Sequence, residues 1–167
     1  MTRDEIVDRF LQNAAAVAAE TKLVHDRAEL DSTVAELIGS DSGIYCPRLT
    51  ELERTLSLPE ERLTDDYTRA SACVEEVFAG IAETGSIVCT SFGGRAVQGG
   101  LVPQHHIALI ATDRIAEALD HFFSQWGDSP PTNITLETGP SRTADIELTL
   151  TIGVHGPGRL SVIAVEE

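Results

Sequence analysis

The sequence predicts an α/β domain with a mostly parallel central sheet covered by helices on both faces. Three observations predict it. Short runs rich in β-branched residues alternate with amphipathic helical stretches, the order that βαβ crossovers produce. The clearest strands, Ser86-Ile87-Val88-Cys89-Thr90-Ser91 and His106-Ile107-Ala108-Leu109-Ile110-Ala111, are almost continuously apolar, as strands buried on both faces are. The chain has 167 residues, 42% of them hydrophobic, which suits one domain with a sizeable core.

The elements follow in order. Residues 2–21 predict a helix with Ile6, Phe10, Leu11 and Val17 on its apolar side. Residues 22–25 are a short strand, and 29–38 a helix with Leu30, Val34, Leu37 and Ile38 on one face and Gly39 as its stop. Residues 43–46 are a strand ended by Pro47, and 49–58 a short helix with a charged outer face. Residues 59–69 are polar and carry turn signals. Residues 72–82 fit either one helix or a short strand followed by a helix near Glu75. A glycine-rich loop, 92–100, follows the 86–91 strand. Asp113 stands where it can cap a helix in which Ile115, Leu119, Phe122, Phe123 and Trp126 recur at helical spacing. Residues 133–137 and 160–165 are further strands. The strands near 86–91, 106–111, 132–137 and 160–165 are expected together in the central sheet. No repeat, low-complexity tract or linker divides the chain, so residues 1–167 are expected to form a single domain.

Composition narrows the function classes. With 12 Lys and Arg against 27 Asp and Glu, the net charge is -15. Nucleic acid and anionic membranes repel such a surface, so neither is an expected partner. No apolar run approaches the ~20 residues that span a bilayer, so membrane insertion is not expected. The amino terminus is acidic and amphipathic without a signal-peptide core, so a cytoplasmic location is expected. Cys46, Cys73 and Cys89 are far apart and form no C-x-x-C. They are expected to be packing residues, with no metal or cofactor held by this chain.

Candidate chemistry gathers in turns. Thr138-Gly139-Pro140-Ser141-Arg142-Thr143-Ala144-Asp145 joins an apolar strand to the next element. Hydroxyls, a guanidinium and free backbone N–H groups there suit a phosphate or carboxylate. A capped turn with a surface arginine fits the same pattern equally well. His155 lies in the turn Gly153-Val154-His155-Gly156-Pro157, placed either to donate to an anion or shuttle a proton, or to bond the local backbone. His105 and His106 are strand neighbours that point to opposite faces, so at most one faces a cleft. Gly93-Gly94-Arg95 offers a cradle without the Walker lysine. Glu83 is either a base or nucleophile or a solvated helix-end acid. There is no G-x-S-x-G and no H-E-x-x-H.

Residues 141–152 pull two ways. Ile146, Leu148, Leu150 and Ile152 alternate with Glu147, Thr149 and Thr151, the period of a strand. Ser141, Thr143 and Asp145 after a Gly-Pro turn make a helix start. The pattern alone favours the strand.

Three segments together resemble the LUD-domain family, and within it the lactate-utilisation protein C group. They are Ile81-Ala82-Glu83-Thr84-Gly85-Ser86, then Arg95 with Leu101-Val102-Pro103-Gln104-His105-His106-Ile107, and then residues 138–146 with Gly153-Val154-His155-Gly156-Pro157. Gln104 stands where the family pattern has a second proline. The resemblance covers residues 70–167, with 1–69 variable. It implies a three-layer α/β fold similar to the glucosamine-6-phosphate isomerase, ribose-5-phosphate isomerase and CoA-transferase group, and a helix from Thr143. It implies a part in oxidising L-lactate to pyruvate beside separate iron–sulfur proteins. Because a small anionic ligand on so acidic a surface needs a local concentration of donors, the expected site is a cleft formed by the Gly139–Asp145 turn, the Arg95 loop, His106 and His155. Arg95, Gly139, Ser141, Arg142, Thr143 and Asp145 would bind, and Glu83, His106 and His155 would supply any catalysis. The alternative is a stand-alone enzyme of the same fold group.

Overall fold

The computed structural model describes residues 1–144, 150–152 and 156–166. In chain order the elements are α1 (Arg3–Ala16), β1 (Glu20–Val24), α2 (Arg27–Ile38), β2 (Ile44–Tyr45), α3 (Glu51–Thr55), β3 (Leu63–Thr64), β4 (Ala72–Glu76), β5 (Ala79–Ile81) and β6 (Ser86–Thr90). They continue with α4 (Gln98–Leu101), β7 (His105–Ala111), β8 (Ile115–Ala116), α5 (Leu119–Ser124), β9 (Ile134–Glu137), β10 (Arg142–Ala144), β11 (Leu150–Ile152) and β12 (Arg159–Val165). Both α1 and α3 begin with a capping box, Thr2 with Glu5 and Thr50 with Glu53. Each box satisfies backbone N–H groups that a helix start leaves free.

The core is a six-stranded sheet in the order β1-β12-β7-β4-β2-β3, parallel at every pairing. One face carries Val74, Ile107, Leu109, Ile163 and Val165, buried against Leu30, Val34 and Leu37 of α2. The other face carries Ala108, Ile110, Leu160, Val162 and Ala164, buried against Val7, Phe10 and Ala14 of α1 and Ile87 and Cys89 of β6. Apolar residues on consecutive positions of β7 and β12 are thus used by both faces, which is why these strands lack a polar alternation. The expected α/β class with a mostly parallel central sheet is what the chain adopts. No helix among the described residues is long and apolar enough to cross a membrane.

The structure corrects several element assignments. The 86–91 and 132–137 strands are not in the central sheet. They form β6 and β9 of a separate sheet ordered β8-β5-β6-β9, where β6 is antiparallel to both β5 and β9. The reason is the short connection from Ile81 to Ser86, which folds β6 back on β5 and leaves no length for a crossover. The outer face of this sheet packs on α5 through Phe122, with Phe78 stacked on Trp126 at 4.8 Å. Residues 72–82 contain no helix but two strands, β4 and β5. Asp113 caps nothing in α5, which starts at Leu119 after a single turn, Thr112–Arg114, and strand β8. Thr143 does not start a helix: Arg142, Thr143 and Ala144 form β10, antiparallel to β11 with Thr143 opposite Thr151, and residues 145–149 lie outside the described residues. The strand period outweighs the helix-start residues here.

The turn into β6 depends on Gly85, whose φ is +69° and whose missing side chain admits α1: a Cβ there would lie 2.2 Å from the Ala14 nitrogen. Gly93 has a similar φ, +70°, but a Cβ would meet nothing within 4 Å. Gly93→Ala is expected to cost about 1–2 kcal/mol, the left-handed penalty alone. Gly85→Ala must displace a helix backbone as well and is expected to cost clearly more. Urea denaturation of the two variants checks the difference.

Candidate functional site

A chain of charged side chains crosses the interior from α3 to β9. Strand β2 covers the edge of β4 only as far as Cys73. Beyond it, the backbone N–H of Glu76 donates to Oε1 of Glu53 at 2.8 Å. The other oxygen of Glu53 accepts from the N–H groups of Leu49 and Thr50, at 2.7 and 3.2 Å, and so closes the α3 cap. Arg95, in the loop after β6, donates to Glu53 Oε1 at 2.6 Å and to Glu75 Oε2 at 2.9 Å. Oε1 of Glu75 lies 3.0 Å from Nε2 of His106. Nδ1 of His106 bonds Oε2 of Glu137 at 2.7 Å. Glu53 and His106 are 0% exposed and Glu75 1%.

Burial works against every charge in this chain, and pairing overcomes it. Burial pushes the Glu75 carboxyl up, but His106 and Arg95 hold it below its ordinary value. Burial pushes His106 down, but Glu137 and Glu75 raise it to about 10. Arg95 is held charged in the same way by Glu53 and Glu75. His106 is therefore an imidazolium at neutral pH in a protein that holds only these neighbours. Cys73 and Cys89 adjoin the cluster without charge, because burial pushes both thiols well up.

A cavity of about 980 Å³ opens beside this cluster. Glu75, Cys89 and Arg95 line it, with Ile6, Phe78 and Phe92 among its apolar walls. It also takes in Val77 and Phe78, which follow β4, and Asp113 and Arg114, which follow β7. The cavity thus sits where ligands bind in parallel sheets, beyond the carboxyl ends of the strands. Arg114 there pairs with Glu76 at 3.1 Å.

Sequence-predicted residues fall in different places. Arg95 and His106 come together, joined by Glu75. His105 faces the other way, with Nε2 2.9 Å from the Ser161 hydroxyl and Nδ1 3.3 Å from Asp41, as strand alternation requires. Gly139 takes φ +74° and lies so close to the end of α1 that a Cβ would be 2.2 Å from the Val17 carbonyl. Ser141 donates its N–H to the Pro157 carbonyl at 2.8 Å. Arg142 is exposed, its guanidinium 3.4 Å from the same Val17 carbonyl, and Thr143 sits in β10. The 139–143 turn therefore rests on α1, and Arg142 makes no contact with Arg95 or His106 among the described residues. Glu83 is exposed and accepts from the Leu119 N–H at 3.3 Å at the start of α5; it does not line the cavity. Asp145 and His155 lie outside the described residues.

Glu53, Glu75 and Glu137 were not singled out from sequence. A signal existed for each. Glu53 ends the capping box Thr50-x-x-Glu53, Glu75 sits inside an apolar run, and Glu137 closes an apolar strand.

Sheet order, layering and a charged cluster buried under a cavity define an α/β protein built around a parallel sheet, with a second small sheet locked to it by ion pairs. A family model described as the LUD domain matches residues 7–165, and the chain belongs to that family. Lactate utilization protein C of an Exiguobacterium species is 33% identical, the alignment covering 99% of this chain and 80% of that protein. Lactate utilization protein C of Shouchella clausii is 29% identical, over 99% of this chain and 81% of that protein. With the protein of the same name from Halalkalibacterium halodurans, identity is 32% over 113 residues, and the match spans 49% of that protein. A solved structure of a DUF162 family protein from Deinococcus radiodurans shares the fold, with TM-score 0.69, 23% identity and 99% of each chain covered.

Removing Arg95 leaves Glu53 and Glu75 buried without their cation. Arg95→Ala is expected to destabilise the protein by about 3–5 kcal/mol, the range for breaking a buried ion pair from one side. Arg142→Ala, at an exposed position, is expected to stay within about 0.5 kcal/mol of wild type. Chemical denaturation of both variants measures the contrast.

Proposed function

We propose that the protein serves lactate utilisation, as a component of a system that oxidises L-lactate to pyruvate and works with separate iron–sulfur proteins. The observation that carries this reading is alignment over 99% of the chain with relatives named lactate utilization protein C. The cysteine count supports the division of labour. The three cysteines are scattered and form no C-x-x-C, so this reading assigns the iron–sulfur clusters to partner proteins.

The ligand class in this reading is a small carboxylate or a related anion. Arg95 is neutralised by two carboxylates, whereas Arg142 is exposed on its turn and open to such a ligand. Ser141 and Thr143 beside it add hydroxyl donors, and Asp145 and His155 belong to the same proposed site on sequence grounds. A second reading, a stand-alone enzyme, is favoured by one observation: the cavity of about 980 Å³ has the size of a small-molecule site and lies at the strand ends. Turnover of a sugar phosphate or a CoA ester by the purified chain alone would decide for it.

Deleting the gene is expected to abolish growth on L-lactate as sole carbon source, and the wild-type gene to restore it. Growth undiminished by the deletion would contradict the proposal. Arg142→Ala is expected to weaken L-lactate or pyruvate binding roughly tenfold to a hundredfold in calorimetry, the loss of one charge-assisted bond, with an unchanged Tm.

A further inference from the structure

We propose that Cys73, Glu75 and His106 form a binding site for one divalent transition-metal ion of the zinc type, with Glu137 and Arg95 as positioning residues. The site goes beyond the lactate-utilisation reading and does not depend on it.

The sheet itself assembles the donors. Cys73 on β4 is register-paired with His106 on the adjacent parallel strand β7. Glu75 follows Cys73 by two residues and so projects from the same face. The thiol, a carboxylate oxygen and an imidazole nitrogen all lie within 4.8 Å of one another, and all three residues are buried. The backbone therefore presents a sulfur, an oxygen and a nitrogen from one side of two neighbouring strands.

Two atoms of this set face each other as a charge pair but lack a hydrogen-bond partner. Among the described residues, Oε1 of Glu75 and Nε2 of His106 are buried and have no hydrogen-bond partner. They are 3.0 Å apart, an ion-pair distance without the alignment of a hydrogen bond. Unpartnered polar atoms at such depth are costly, and an ion between them would satisfy both. The remaining valences are used as a metal site uses them. Nδ1 bonds the Glu137 carboxylate at 2.7 Å, which fixes the tautomer that leaves Nε2 as the ligand. Oε2 of Glu75 is held by Arg95 at 2.9 Å, which aims Oε1 inward. Gly100 completes the arrangement. A Cβ at that position would lie 2.5 Å from Glu75 Oε1 and 2.8 Å from His106 Nε2, so only glycine leaves these two atoms clear.

The donor chemistry selects the ion. A thiolate, an imidazole and a carboxylate suit zinc, whereas magnesium and calcium take oxygen donors. Charge balances. The ion brings two positive charges and displaces the thiol proton and the proton on Nε2, so the interior charge is unchanged. Three protein ligands leave a tetrahedral ion one open position, the arrangement of catalytic rather than structural zinc. Glu75 also lines the cavity of about 980 Å³, so the proposed site lies directly behind the cavity wall. A second set, Cys89, His106 and Glu137, shares the histidine, but its Glu137 is already spent on Nδ1.

The full-length wild-type protein, stripped with a chelator, is titrated with Co(II) and then Zn(II). We expect one ion per chain and a thiolate-to-cobalt charge-transfer band that Zn(II) abolishes. X-ray absorption of the zinc form should show one sulfur at about 2.3 Å and nitrogen or oxygen neighbours at about 2.0–2.2 Å. Cys73→Ser should lose the band, and Cys46→Ser and Cys89→Ser should keep it. Glu137→Gln should keep the band with Zn(II) affinity about tenfold to a hundredfold lower. No sulfur neighbour in the wild-type spectrum overturns the proposal without any variant having to fold. A band that survives Cys73→Ser, or is lost in Cys89→Ser, overturns this choice of ligands.

Discussion

The structure depends on one buried chain of charge, from Glu53 through Arg95, Glu75 and His106 to Glu137. Each link joins a different part of the fold. Glu53 ties α3 to the uncovered edge of β4, Arg95 ties the loop after β6 to both, and His106 ties the central sheet to β9 of the second sheet. Apolar packing between the sheets is non-directional and tolerates sliding. Ion pairs with fixed partners do not, so the cluster sets how the two sheets meet. It also sets the chemistry of the cavity, whose wall includes Glu75 and Arg95.

An acidic chain makes this arrangement demanding. With a net charge of -15, a buried carboxylate gains nothing from its surroundings unless a cation is delivered to it. Glycine-rich sequence makes the delivery possible: Arg95 is followed within a short loop by Gly99 and Gly100, which pack against Tyr45 and against the Glu75–His106 pair. The 92–100 loop is thus a device for carrying one arginine and one close-packed turn into the interior. Its resemblance to a phosphate cradle came from other glycines, Gly93 and Gly94, where a Cβ would meet nothing within 4 Å.

Much of the fold was legible in the sequence. The apolar runs at β7 and β12 and the faces of α1 and α2 follow directly from periodicity. The partition into two sheets was not legible, because β6 and β9 are as apolar as the central strands and differ only in how they are connected. The region after Thr143 shows the opposite case. There the alternation of Leu150 and Ile152 with Thr151 was the better guide, and motif likeness misdirected the assignment. The site was half legible. Arg95 stood out in a glycine-rich loop and the His105-His106 pair at a strand start, but only the family resemblance selected His106. Glu75 and Glu137 did not, since an acid within an apolar strand looks like an edge or an error until its partner on another sheet is known. Cys73 was hidden for the same reason: its distance from His106 along the chain is large, and only parallel register makes them neighbours.

The chain belongs to the LUD-domain family, and its cavity at the strand ends is walled by the ion-paired residues Glu75 and Arg95. The central claim is that the pairing of His106 with Glu137 locks the two sheets together. The most direct test is a double-mutant cycle in denaturation free energy with His106→Gln, Glu137→Gln and the double variant. The account predicts a coupling of about 2–3 kcal/mol, at the upper end for residues in one buried network. A coupling below about 0.5 kcal/mol would show the two side chains to be energetically independent and would contradict it.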